Sequence, residues 1–127
     1  MKPVKSKPSA GRIATEEKLR RCQERYDQLK EEVRQLGYIC QGTITKRTLP
    51  CGKPSCACHQ DPRKRHGPYV YWTRKVRGRT ETRMVPPSLV TLYREGIRNH
   101  RRLEVLIRRM QKVSLQAFEA ARIPSKA

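Results

Sequence analysis

The chain has 127 residues, 35% of them hydrophobic and 6% aromatic, so it cannot bury a large core. It needs a staple, a partner, or long helices that pack on each other. Thirty Lys and Arg against eleven Asp and Glu give a net charge of +19, which points to a polyanion as partner, and no run approaches the 18 or so apolar residues of a membrane span.

Residues 1–12 place Pro3, Pro8 and Gly11 among lysines and read as a disordered basic tail. They contain no apolar segment of the secretory type, which predicts a cytoplasmic protein. Thiols stay reduced there, so clustered cysteines favour metal over disulfides.

Residues 13–37 read as an N-terminal helix. Thr15 is placed to cap it, with Glu16 and Glu17 near the positive end of the dipole. Leu19, Cys22, Tyr26, Leu29, Val33 and Leu36 step by three and four residues, which is an a/d seam. Cys22 on that seam reads as a small packing residue. Residues 16–36 hold six charges of each sign, so this helix is neutral in an otherwise basic chain. That balance predicts protein contacts rather than polyanion contacts.

Residues 38–87 read as a β head. A short strand is predicted from Gly42 to Thr48. After the cysteine segment, "YVYWTRKV" and "RTETRMV" flank Arg77-Gly78 as a hairpin. A two-residue turn sets Trp72 opposite Arg83 and Arg74 opposite Glu81. A three-residue loop shifts that register, and both remain open. One hairpin face carries Tyr69, Tyr71, Thr73 and Lys75, and the other Val70, Trp72, Arg74 and Val76. One face packs and the other meets a ligand; Tyr69 and Trp72 read as core.

Pro86-Pro87 ends the hairpin, and residues 88–122 read as a C-terminal basic helix before a tail at 123–127. Leu89, Leu92, Gly96, Leu103, Leu106, Met110, Val113 and Ala117 form its stripe, with Asn99 or His100 interrupting it. The opposite face carries Arg94, Arg98, Arg101, Arg102, Arg108, Arg109 and Lys112. The expected fold is α+β: long antiparallel, coiled-coil-like helices flanking a small zinc-stapled head, either a β-hairpin or three-stranded. The second helix is the longer, at roughly 50 Å against roughly 36 Å, and its surplus predicts a homodimer through the helices.

Cys51, Cys56 and Cys58 give C-x4-C-x-C, three thiolates and one ligand short of a tetrahedral zinc site. His66 is the favoured fourth ligand, because it would tie the loop to the hairpin. His59 and Cys40 remain alternatives. Four protein ligands make the ion structural.

Lys46, Arg47, Lys53, Arg63, Lys64, Arg65, Arg74, Lys75, Arg77 and Arg79 are expected to form one positive surface once the metal folds the loop back. Arg101, Arg102, Arg108 and Arg109 of the second helix join the nucleic-acid set. Arginine pairs with phosphate, and DNA is favoured over RNA. No catalytic constellation is evident: outside the first helix the acids are only Asp61, Glu81, Glu95, Glu104 and Glu119, and no phosphate-cradling loop or nucleophile elbow occurs. The reading is therefore of a binding protein, not an enzyme. The alternatives are an RNA-binding protein, or a helical interaction module with no nucleic-acid role.

"CGKPSCAC", then "HGPYVYW", then "RGRTETRMVP", resembles a family of small bacterial proteins carried by phages, plasmids and transposons, a domain of unknown function. The resemblance covers Leu49 to Pro87. Cys51, Cys56, Cys58, His66, Gly67, Pro68, Tyr69, Tyr71 and the turn Gly78 match, while Arg79 stands where Lys is common. It implies a zinc-type head and a mobile-element setting, hence a recombinase or transposase as protein partner.

Overall fold

The computed structural model describes residues 10–49 and 52–122, apart from the side chains of Ala10, Arg12 and Cys58. Most of the tail predicted at 1–12, and all of that at 123–127, lie outside the described residues. The elements in order are α1 (Ala10–Arg34), β1 (Thr43–Leu49), β2 (His66–Val76), β3 (Arg79–Val85) and α2 (Val90–Arg122), with short 3-10 turns at Ala57–His59, Pro62–Lys64 and Pro87–Leu89. The fold is α+β, with two long helices packed together and flanking, in sequence, a three-stranded antiparallel sheet. No helix among the described residues is long and apolar enough to cross a membrane.

The chain divides into two compact units, one running up to Leu36 and resuming at Arg102, the other Gly37–Arg101. In the first, α1 packs on the later turns of α2. Cys22, Leu29, Leu106 and Val113 are buried there, with Tyr26, Val33, Leu36, Met110 and Ala117 around them. Glu32 meets Arg102, Tyr26 lines a groove with Met110, and Leu19 lines one with Ala117. Residue numbers rise on one helix as they fall on the other, so the pair is antiparallel. The predicted seam of α1 is the seam that packs. Thr15 is not its cap: the helix begins at Ala10, and the Thr15 hydroxyl donates to the Gly11 carbonyl at 2.9 Å from inside the first turns. Leu106 is 0% exposed at the centre of this packing. Leu106→Ala is expected to cost about 2–5 kcal/mol of stability, read by urea titration, because a helix pair with so few core residues has little capacity to close the cavity.

In the second unit the sheet order is β1-β2-β3. Trp72 pairs with Arg83, and Arg74 with Glu81. The hairpin turn is therefore the two-residue one. Arg77 (φ 51°) and Gly78 (φ 80°) both take left-handed backbone, the type I′ geometry whose twist matches the strands. β1 pairs with the other edge of β2, Ile44 against Trp72 and Lys46 against Val70, with a register slip before Leu49–His66.

One sheet face packs on the first turns of α2. Trp72, Val85 and Ile97 are buried, with Cys40, Ile44, Val70, Val90 and Tyr93 packed around them. Trp72 and Tyr93 lie with ring centroids 5.2 Å apart, and the Trp72 indole donates to the Gln41 carbonyl at 2.7 Å. The expected stripe of α2 fails in this stretch, since Leu89 and Leu92 are 39% and 51% exposed. Val90, Tyr93 and Ile97 replace them. The earlier turns of α2 pack on a sheet and the later ones on a helix, so no single heptad phase serves both. Gly96 fits close approach rather than a seam: a Cβ there would come within 2.8 Å of Cys40 Cβ, and its carbonyl accepts from the Cys40 amide at 2.9 Å. Asn99 donates to the Tyr38 carbonyl at 2.9 Å and so holds the chain where it enters the unit.

Candidate nucleic-acid interface and metal centre

In the cysteine segment, a 3-10 turn at Ala57–His59 leads to a second at Pro62–Lys64. Asp61 caps the second turn, its carboxylate accepting from the Arg63 amide at 2.9 Å. These turns bring the chain back on itself, so Cys56 Sγ and His66 Nε2 stand 3.4 Å apart although ten residues separate them. Donors sharing a tetrahedral zinc, at about 2.3 Å for sulfur and 2.1 Å for nitrogen, lie roughly 3.6 Å apart. The pair thus fits one edge of such a site. His66 opens β2, and Gly67 directly after it has φ 112°, a backbone that glycine adopts without strain.

Cys51 and the Cys58 side chain lie outside the described residues, and no group of three or more ligands occurs among the described residues. The two other candidates differ in environment. Cys40 is packed against Gly96 and Trp72's cluster, and burial pushes its thiol up, only partly offset by the Arg74 charge. That favours the neutral thiol over the thiolate a metal needs. His59 is exposed in the first turn.

The register divides the predicted basic set. Neighbours along a strand point to opposite faces, and residues paired across strands share one. Lys46 and Arg74 therefore lie on the helix-packed face with Trp72, while Arg47 and Lys75 lie on the open one. The strand cations do not form one surface. Arg74 is half-buried, its guanidinium 4.8 Å from the Trp72 ring centroid and 3.5 Å from the Glu81 carboxylate. Its Nε is buried without a hydrogen-bond partner. Arg74 is a packing residue, and Arg102 is occupied by Glu32. Lys53, Arg63, Lys64, Arg65, Arg77 and Arg79 are exposed in loops, turns or at the start of β3, and Arg108 and Arg109 are exposed on α2.

A concentration of free cations forms instead on the earlier turns of α2. Arg94, Arg98 and Arg101 follow one helix face and, with Ile44 and Ile97, line a cleft of about 320 Å³. All three are exposed, and none has an ion pair among the described residues. Like charges at such spacing repel by a few tenths of a kcal/mol per pair, and an anion in the cleft would relieve this. The contrast with α1 is direct: there Arg20 meets Glu17, Lys30 meets Asp27 and Arg34 meets Glu31. Arg94 and Arg98 lie outside the set predicted from sequence to bind nucleic acid. The signal that could have found them was present: with Arg101 they recur at i, i+4 and i+7, three arginines on one helix face.

Comparison with known proteins adds a family. The pattern described as Domain of unknown function (DUF6788) matches residues 19–95, a wider span than the motif region alone. No curated protein and no solved structure matches.

Proposed function

The chain belongs to the family of the domain of unknown function DUF6788, and we propose that within it this protein is a zinc-containing DNA-binding accessory factor of a mobile element. The observation that carries the reading is the cleft of Arg94, Arg98 and Arg101, three unneutralised guanidinium groups on one face of a rigid element in a chain of charge +19. A helix presenting such a row can lie in the major groove, and arginine forks bind phosphate in pairs of hydrogen bonds. Cys51, Cys56, Cys58 and His66 would hold the zinc, with the Cys56–His66 approach as support. Bound there, the ion would tie residues 52–65 to β2 and, with them, fix Lys53, Arg63, Lys64 and Arg65.

The neutral α1 and the exposed apolar residues Ile107, Leu115 and Phe118 of α2 support the protein-contact role, self-pairing or a recombinase or transposase partner. The proposed setting is the bacterial cytoplasm, and the proposed role is binding rather than catalysis.

The test is a duplex titration at 50 and 200 mM salt. With about six phosphates engaged, log affinity falls with log salt at a slope near −5. Replacing Arg94, Arg98 and Arg101 together by Gln is expected to make the slope shallower by about 3 and to weaken binding at every sequence tested. A flat salt response in the native protein contradicts the function. An unchanged slope in the triple variant contradicts the site.

A further inference from the structure

The sheet face turned away from α2 has no assigned role, and its composition is unusual for a face left to water. Tyr69 and Tyr71 sit two apart on the central strand β2. Tyr69 is 37% exposed, contrary to its expected place in the core, and Tyr71 is half-buried. In register, Tyr71 lies between Thr45 of β1 and Met84 of β3, and Met84 is 53% exposed. Arg47 pairs across from Tyr69 and holds its guanidinium 5.5 Å from the Tyr71 ring centroid. Lys75 continues the row. The acid of these strands, Glu81, is on the opposite face with Arg74. The open face therefore combines one exposed aromatic ring, a half-buried one with a guanidinium over it, a further cation in Lys75, and no carboxylate.

We infer that this face is a stacking platform for an unpaired DNA strand, with Tyr69 and Tyr71 each taking a base and Arg47 and Lys75 the adjoining phosphates. The inference rests on the proposed DNA-binding function and adds a second surface to it. Three features select a single strand over a duplex. The tyrosines are about 7 Å apart along the strand, twice the rise of about 3.4 Å between stacked nucleotides, so each ring meets a splayed base. Ring faces offer nothing to the edge of a closed base pair, whereas any unpaired base presents its π-face. The guanidinium over Tyr71 is itself a planar group on which a base can lie while its N–H edge reaches phosphate. An accessory protein with a duplex cleft on one element and a single-strand platform on another would engage a junction where DNA strands part.

The experiment compares a labelled 12-nucleotide oligo-dT with a hairpin duplex at one salt concentration, using the full chain. Tyr71→Ala and the Tyr69→Ala/Tyr71→Ala pair are expected to weaken oligo-dT binding by about ten-fold or more, from lost stacking. Duplex affinity should stay within two-fold. Tyr71→Phe should retain oligo-dT binding, and Tyr71→Val, which suits a strand, should lose it with an unchanged melting temperature. Oligo-dT binding that is indifferent to these changes, with duplex binding intact, overturns the platform alone. Oligo-U bound more tightly than oligo-dT with the same tyrosine dependence overturns DNA as the occupant. A native protein that binds neither duplex nor single strand overturns the proposed function and the platform with it.

Discussion

Trp72→Ala is expected to lower the stability of the unit formed by residues 37–101 by about 3–5 kcal/mol, the largest effect of any single core truncation here. Trp72 is the centre of a small cluster whose other buried members are Val85 and Ile97. Its ring meets Tyr93 from the helix and the Arg74 guanidinium from its own strand, and its indole N–H satisfies the Gln41 carbonyl at the start of the sheet. Truncation removes the apolar area, leaves a cavity between sheet and helix, and orphans a carbonyl. It also uncovers Arg74, whose buried Nε already lacks a partner. Urea titration by far-ultraviolet circular dichroism measures the loss, because the variant has no tryptophan to report by fluorescence. Trp72→Phe should recover most of it and retain a deficit of about 1 kcal/mol for the missing hydrogen bond. A loss under about 1 kcal/mol for the alanine variant would mean that the sheet is held by something other than this cluster.

The second large effect is expected on chelation of the proposed zinc. Structural zinc contributes of the order of 10 kcal/mol in small domains, so a chelator is expected to abolish the ordered path of residues 52–65 while the helical signal of α1 and the later turns of α2 survives. Native protein should carry one zinc per chain by elemental analysis. Cys56→Ser and His66→Ala should each reduce that stoichiometry sharply, and Cys40→Ser should not. Limited proteolysis is the second readout, with new cleavage after Arg63, Lys64 or Arg65 on chelation. A metal-free preparation with the native proteolysis pattern contradicts the zinc assignment and leaves the sheet and helices as described.

Much of this architecture could be read from sequence, and the misreadings share a cause. The α1 seam was legible because one partner surface runs along the whole helix, so one heptad phase describes it. The hairpin register followed from Arg77-Gly78 once the turn length was known. The α2 stripe was misread at Leu89 and Leu92 because a helix that packs first on a sheet and then on a helix changes phase between them. Thr15 has the chemistry of a cap, yet the turns before it are helical and its hydroxyl bonds back to Gly11. Arg102 and Arg74 have partners that become neighbours only in the folded chain, Glu32 for the first and the Trp72 ring for the second. Alternation along β1 puts Lys46 and Arg47 on opposite faces, but which of them shares the face of Trp72 needed the pairing of β1 with β2. The Cys56–His66 approach was legible as a spacing argument. Cys51 and the Cys58 side chain stand outside what the structure describes.

The central claim is that DNA phosphates meet the unneutralised arginines of α2, not the charge-balanced helix α1. The most direct measurement is nuclear magnetic resonance of the arginine Nε–Hε groups during titration with a short duplex. The signals of Arg94, Arg98 and Arg101 should shift together and saturate at one stoichiometry, while those of Arg20 and Arg25 stay in place. Shifts centred on α1, or none in the cleft when the duplex is bound, would contradict the account.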